Sequence, residues 1–111
     1  MRHVEKALKA MNDSGNELCR YIDVSNREDI KGVPPVVHFT IQSDPIGKVG
    51  INGCQARDML EYIIHLFESL DASYPCGENK ATIIRLQNAL SWQDERTKER
   101  KERNVEGKNL V

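Results

Sequence analysis

The chain is short of aromatics: of 111 residues only one is Trp, three are Tyr and two are Phe. A core built from so few large side chains is thin, and a chain of this length supports one small domain, for which self-association is a natural remedy. Its three cysteines, Cys19, Cys54 and Cys76, form no Cys-x-x-Cys pair. An odd, scattered set fits neither a closed disulfide framework nor a four-ligand zinc site, so all three are expected to be reduced packing residues. His3, His38 and His65 stand apart, without an HxH or HExxH spacing, so no metal is expected. No serine sits in a Gly-x-Ser-x-Gly setting and no cysteine is tied by spacing to a histidine, so nucleophilic catalysis lacks support and the chain reads as non-enzymatic. The N-terminus has no apolar signal-peptide core and no apolar run reaches the length of a membrane span, so an intracellular protein without membrane attachment is expected. There is no excess of either charge: 16 basic against 17 acidic side chains leave a net charge of -1. That excludes the overall basic field of a nonspecific DNA binder and makes any anion site local.

The pattern along the chain predicts an α+β fold. Val4, Leu8 and Met11 suggest a short first helix closing near Asn12-Asp13-Ser14-Gly15. Leu18 to Val24 and the alternating Val36 to Gln42 could pair as a two-stranded antiparallel ribbon across a polar loop containing Asn26-Arg27-Glu28-Asp29 and Pro34-Pro35. Ser43-Asp44-Pro45-Ile46-Gly47 reads as a turn. Gly50-Ile51-Asn52-Gly53 then leads into a helix, either as a tight strand-to-helix turn or as a backbone cradle for phosphate, with Asn52 or a glycine at the N-cap. From Gln55 to about Leu70, Met59, Tyr62, Ile63, Leu66, Phe67 and Leu70 make an amphipathic stripe. Asp71-Ala72-Ser73-Tyr74 is expected to reverse the chain, with Pro75 in the first turn of a last helix carrying Ile83, Leu86 and Leu90, widened by Ile84 and Trp92.

That last helix, read from Cys76 to Arg103, spans roughly 42 Å against roughly 25 Å for its predecessor. An antiparallel hairpin of such unequal arms leaves one end uncovered, and that end carries Arg96, Arg100 and Arg103 on one face. Guanidiniums so placed repel unless an anion or carboxylates neutralise them. The plainer account is a solvated helix held by the i,i+4 pairs Asp94 with Lys98 and Glu99 with Arg103. Asn79, in the first turn of the same helix, is either a solvated amide or a donor to a base edge. The domain divides into an N-terminal helix and ribbon (1–48), a helical hairpin (49–107) and a tail (108–111).

Taken in order, Val49-Gly50-Ile51-Asn52-Gly53, Pro75-Cys76-Gly77-Glu78-Asn79, Ala89-Leu90-Ser91-Trp92 and Arg96-Thr97-Lys98-Glu99-Arg100-Lys101-Glu102-Arg103-Asn104-Val105-Glu106-Gly107 resemble the helical-hairpin domain of phage anti-defence sponges. That group includes anti-Thoeris proteins, which sequester cyclic ADP-ribose isomers, and anti-CBASS proteins, which sequester cyclic oligonucleotides. The strand pair before the hairpin favours the anti-Thoeris branch. The resemblance implies a protein in the cytoplasm of an infected bacterium that binds the glycocyclic form of ADP-ribose intact and so keeps it from the Thoeris effector, with cyclic di- or trinucleotides as further ligands. It implies no cofactor, and dimers or hexamers with pockets between subunits. It assigns Asn79, Arg96 and Arg100 to the pocket, Arg103 beside them, and places Asn52 and Arg57 near the same interface. Relatives commonly carry an aromatic residue in the loop after the first hairpin helix, where this chain has Ser69-Leu70, so Phe39, Phe67 or Tyr74 is left to stack on the base. The residues alone leave open a structural helical-hairpin protein that pairs with another helix, or an RNA-binding hairpin using the same arginines on phosphates.

Overall fold

A computed structural model of the protein describes residues 2–25 and 32–103. Within them the order is α1 (His3–Asp13), a 3-10 turn (Glu17–Tyr21), β1 (Ile22–Ser25), β2 (Val36–Phe39), α2 (Ile46–Val49), α3 (Ala56–Ser73) and α4 (Gly77–Glu102). The α+β expectation is met by helices and a two-stranded antiparallel sheet. Asn26-Arg27-Glu28-Asp29, the Asn104-Val105-Glu106-Gly107 end of the resemblance and the tail lie outside the described residues.

The central element is α3. Residues 58 and 62 lie on one side of it, and residues 57, 61, 64 and 71 lie on the other, because each residue turns the helix by about 100°. On the first side α1 runs alongside: the Tyr62 hydroxyl donates to the Val4 carbonyl at 3.0 Å, and His3 Nδ1 meets Ser69 Oγ at 2.7 Å. Buried Ala7, Met11, Ile22, Cys54 and Tyr62 form the core there, with Val37, Phe39 and Leu66 packed against it. On the second side Arg57 reaches Asp94 and Asp71 reaches Lys80, so α4 runs antiparallel to α3 with buried Ile64 beneath it. The sequence suggests one apolar stripe on α3, but the helix is covered on two sides. Accordingly Ile63, expected inside, is 36% exposed while Ile64 is only 4% exposed.

The ribbon is shorter than expected at both ends. Asn16 Oδ1 accepts from the Leu18 amide at 2.9 Å and caps a 3-10 turn, so the strand begins at Ile22 rather than Leu18. Ile22 faces Phe39 and Val24 faces Val37 on the covered side. Past Phe39 the backbone changes partner: the Cys54 amide donates to the Thr40 carbonyl at 2.8 Å and the Gln42 amide to the Cys54 carbonyl at 2.7 Å. That leaves Ile41, read as a core residue of the strand, 49% exposed.

The helices differ from the sequence reading in four places as well. Ile46–Val49 is a short helix after Pro45 instead of part of a turn. The N-cap of α3 is Gln55, not Asn52 or a glycine. Gln55 and Asp58 form a reciprocal capping box in which the Gln55 amide donates to Asp58 Oδ2 at 2.8 Å. Asp71-Ala72-Ser73 continue α3, and only Pro75, whose missing N–H and ring restrict the preceding residue, stops it. Pro75 therefore precedes the N-cap of α4, which is Cys76, rather than sitting in its first turn.

The carboxylate of Asp71 closes this junction. It accepts from the Cys76 amide at 3.1 Å and from Lys80 Nζ at 3.0 Å. Its hydrogen bond with Lys80, then that with the Cys76 amide, hold it below the usual carboxylate range. A carboxyl whose pKa is lowered in the fold contributes stability above its unfolded value of about 4, and loses it as pH falls through the lower folded value. Thermal unfolding followed by circular dichroism from pH 7 to 2.5 should therefore show a flatter acid limb for Asp71→Asn than for the natural chain.

Candidate ligand-binding surface

The helix α4 has no buried residue, although it is the longest element. Its inner stripe, Ile83, Leu86 and Leu90, is half-buried against α3, and continues as Asp94, Thr97 and Lys101. Its outer ridge carries Ile84 at 65% exposure, Trp92 at 69%, and between them Asn88 and Arg85. Two large apolar side chains are thus left bare on the solvent side of a largely polar helix.

The charged end follows neither of the two sequence readings completely. Glu99 and Arg103 do pair, at 3.6 Å. Asp94 turns away from Lys98 and takes Arg57, with Nε at 3.0 Å from Oδ1 and Nη2 at 3.4 Å from Oδ2. Arg96 is exposed and Arg100 half-buried. At the other end, the Asn79 amide donates to Cys76 Sγ and its side-chain Nδ2 to the Tyr74 carbonyl, both at 3.4 Å. Cys76 is thus a helix cap rather than a packing residue; Cys54 does pack, and burial, then the Asp58 charge, push its thiol pKa up.

Asn79 precedes Arg96 by 17 residues and Arg100 by 21, so along α4 they stand about 26 and 32 Å apart. One copy of the chain cannot close these residues around a small molecule. Asn52 stands elsewhere: it accepts from the Ser43 amide at 2.9 Å and donates to the Ser43 carbonyl and hydroxyl, each at 3.1 Å. Its own amide goes to Gln42 Oε1 at 2.9 Å, and the Gly50 and Cys54 amides go to the Ile46 and Thr40 carbonyls, both at 2.8 Å. The amides of Gly50, Asn52 and Cys54 are thus spent inside the chain, as in a tight strand-to-helix turn.

Phe39 packs edge-on against Tyr62, ring centroids 5.6 Å apart at 83°, in the shell of the core. Phe67 is half-buried on α3. Ser69 and Leu70 are inside α3, not in a loop. Of the three rings considered for stacking, the one open to solvent is Tyr74, 70% exposed, immediately before α4 and bonded through its carbonyl to Asn79.

Arg57 is enclosed by acids. Nη1 donates to Asp58 Oδ1 and to Glu61 Oε1, each at 2.9 Å, in addition to the Asp94 fork. Burial works against the charge, but the bond to Asp58 and the nearby Asp94 and Glu61 outweigh it and raise the pKa further. Asp58 itself is 1% exposed and accepts from Asn16 Nδ2 at 2.9 Å as well. Asp58 has no clear signal in the sequence: Gln55 followed by Asp58 departs from the usual Ser/Thr-x-x-Glu/Gln capping pattern. Beside this cluster an open cleft of about 490 Å³ lies between α2 and the far end of α4, lined by Ile46, Gly47, Arg57, Asp94, Thr97 and Lys101. Among the described residues no group of histidine, cysteine and carboxylate side chains could hold a metal ion, and no helix is long and apolar enough to cross a membrane.

No family model matches the chain. It is 35% identical over 81 residues to Thoeris anti-defense 1 of Bacillus phage SBSphiJ7, an alignment that spans 72% of this chain and 56% of that protein. The chain thus covers little more than half the length of its relative. On this similarity, together with the ordered motifs on α4 and in the turn before α3, the chain belongs to the phage anti-Thoeris family.

Proposed function

We propose that the protein counters Thoeris defence by binding a cyclic ADP-ribose isomer intact between copies of itself, without chemistry on the ligand. The observation that carries this reading is the layout of α4. Asn79 and the arginines occupy opposite ends of a helix whose outer ridge bears exposed Ile84 and Trp92. A second copy laid antiparallel along that ridge buries both apolar side chains and brings the Tyr74–Asn79 end of one copy beside the Arg96–Arg100 end of the other. Two equivalent pockets follow from the two-fold symmetry.

The chemistry of such a pocket suits the ligand. Arg96 and Arg100 offer forked donors to a diphosphate, Asn79 a side-chain amide to a ribose or a base edge, and Tyr74 a ring face to adenine. The glycocyclic isomer of ADP-ribose has all of these groups. Cyclic di- and trinucleotides share phosphate and adenine and are the competing ligands for the same donors. Helix pairing without a ligand, or binding of RNA phosphates by the same arginines, are the outcomes that would replace this reading.

Isothermal titration with a cyclic ADP-ribose isomer, cyclic diadenylate and cyclic triadenylate, then heat release and chromatography of the ligand, separates these cases. Tight binding with unaltered ligand recovered supports the proposal. Altered ligand points to an enzyme, and binding to RNA that weakens steeply with salt points to the hairpin reading. Trp92 reports the assembly: exposed in the single chain, its emission should be blue-shifted at micromolar protein and move to the red on dilution as copies separate.

A further inference from the structure

The geometry points to Arg57 as a positioning residue that sets where the arginine-bearing end of α4 stands, acting through Asp94 and not through contact with a ligand. The inference rests on the messenger-binding reading for its functional consequence, but its structural part stands without it. Leu90 is the last apolar residue of the inner stripe; one turn later the helix is joined to α3 by the Arg57–Asp94 fork at the first turn of α3. Residues 95–102 extend past the start of α3 by about 12 Å, and there Thr97 and Lys101 face the open cleft instead of a packed surface. Asp94 precedes Arg96 by two residues and Arg100 by six.

The anchor beneath the fork is rigid. Arg57 is held from below by Asp58, which is 1% exposed and fixed in turn by the Gln55 amide and Asn16, and from the side by Glu61. Its planar head keeps Nη1 on these two acids while Nε and Nη2 face Asp94. A guanidinium already committed to three carboxylates of its own chain has no fork left for a phosphate. Asp94 is 54% exposed, so the pair contributes little to global stability; its effect is on the direction in which the overhang leaves α3. Fixing the arginines in place before the ligand arrives removes an ordering cost from binding.

The test compares Asp94→Asn with Asp94→Glu. Asn removes the charge and weakens the fork, leaving Arg57 still neutralised by Asp58 and Glu61, so the fold is retained; Glu keeps the charge and can reach the guanidinium. Amide hydrogen exchange without ligand should quicken at least about fivefold over residues 95–102 in Asp94→Asn, with α1 and α3 unchanged and Asp94→Glu near the natural rate. Affinity for the cyclic ADP-ribose isomer should fall about tenfold in Asp94→Asn and recover in Asp94→Glu. Unchanged exchange in Asp94→Asn overturns the inference, whether or not affinity falls, since a fall alone means that Asp94 acts on the ligand directly. If the natural chain binds no cyclic nucleotide, the messenger reading fails and the exchange result alone decides the clamp.

Discussion

Replacing Arg96 and Arg100 together by alanine should remove cyclic-nucleotide binding and leave the fold in place. Each arginine-to-phosphate contact in a desolvated pocket contributes about 1.5–3 kcal/mol, so losing two weakens binding by about 10²–10⁴-fold. Neither side chain belongs to the core: Arg96 is exposed and Arg100 half-buried, and the buried residues lie on α1, α3, β1 and at Cys54. The melting temperature should therefore move by no more than a few degrees, since surface changes are worth about 0.5 kcal/mol and 1 kcal/mol corresponds to about 4–8 °C in a domain of this size. Titration calorimetry and scanning calorimetry on the same preparations make the comparison. Binding that survives within twofold would sink the pocket assignment; loss of the assembly in the absence of ligand would move these arginines to the subunit interface.

The single variants carry further information. Arg103 pairs with Glu99 on its own helix, so Arg103→Ala should cost less than Arg96→Ala. Arg96 and Arg100 are four residues apart on one face, so each raises the repulsion felt by the other in the free protein, and a bound anion relieves it. The effects of the two single variants should accordingly sum to more than that of the double variant, a coupling that a double-mutant cycle measures directly.

How far this surface could be read from the chain depends on which interactions are local. The exposed arginine face of α4 was legible because helical spacing alone puts Arg96, Arg100 and Arg103 together. The pairing of Asp94 was not: i,i+4 logic assigns it to Lys98, whereas a partner 37 residues away, Arg57, competes with better geometry from a half-buried position. The ribbon was legible from the alternation of Val37 and Phe39, but its ends were decided by Asn16 capping a 3-10 turn and by Cys54 taking over the backbone of Thr40 and Gln42. The sequence of α3 shows one apolar stripe, but α1 and α4 cover the helix on two sides, which puts Ile63 outside and Ile64 inside. Phe39 looked available for stacking only because a strand's alternation does not say what packs on its apolar face; Tyr62 does.

The glycines of the turn before α3 give the sharpest test of the fold itself. Replacing Gly53 by alanine should destabilise the protein by about 3 kcal/mol and lower its melting temperature by about 12 °C or more. A Cβ there would stand 2.5 Å from the Ile41 carbonyl carbon, 2.6 Å from the Gln42 nitrogen and 2.7 Å from the Thr40 oxygen. All three are backbone atoms, so no side chain can swing aside; the Thr40–Gln42 segment has to separate from Cys54, breaking the two hydrogen bonds that join them. Cys54 belongs to the core cluster with Ala7, Met11, Ile22 and Tyr62, so the disturbance reaches the packing of α1 on α3. Gly77 provides the contrast: it is the first residue of α4, and a Cβ there meets nothing within 4 Å. Gly77→Ala should stabilise the chain by about 0.5–1 kcal/mol by reducing the freedom of the unfolded state. Urea titrations of the two variants beside the natural chain decide the matter: if Gly53→Ala unfolds at the same midpoint as the natural chain, the close approach between the turn and the Thr40–Gln42 segment is not a feature of the folded protein.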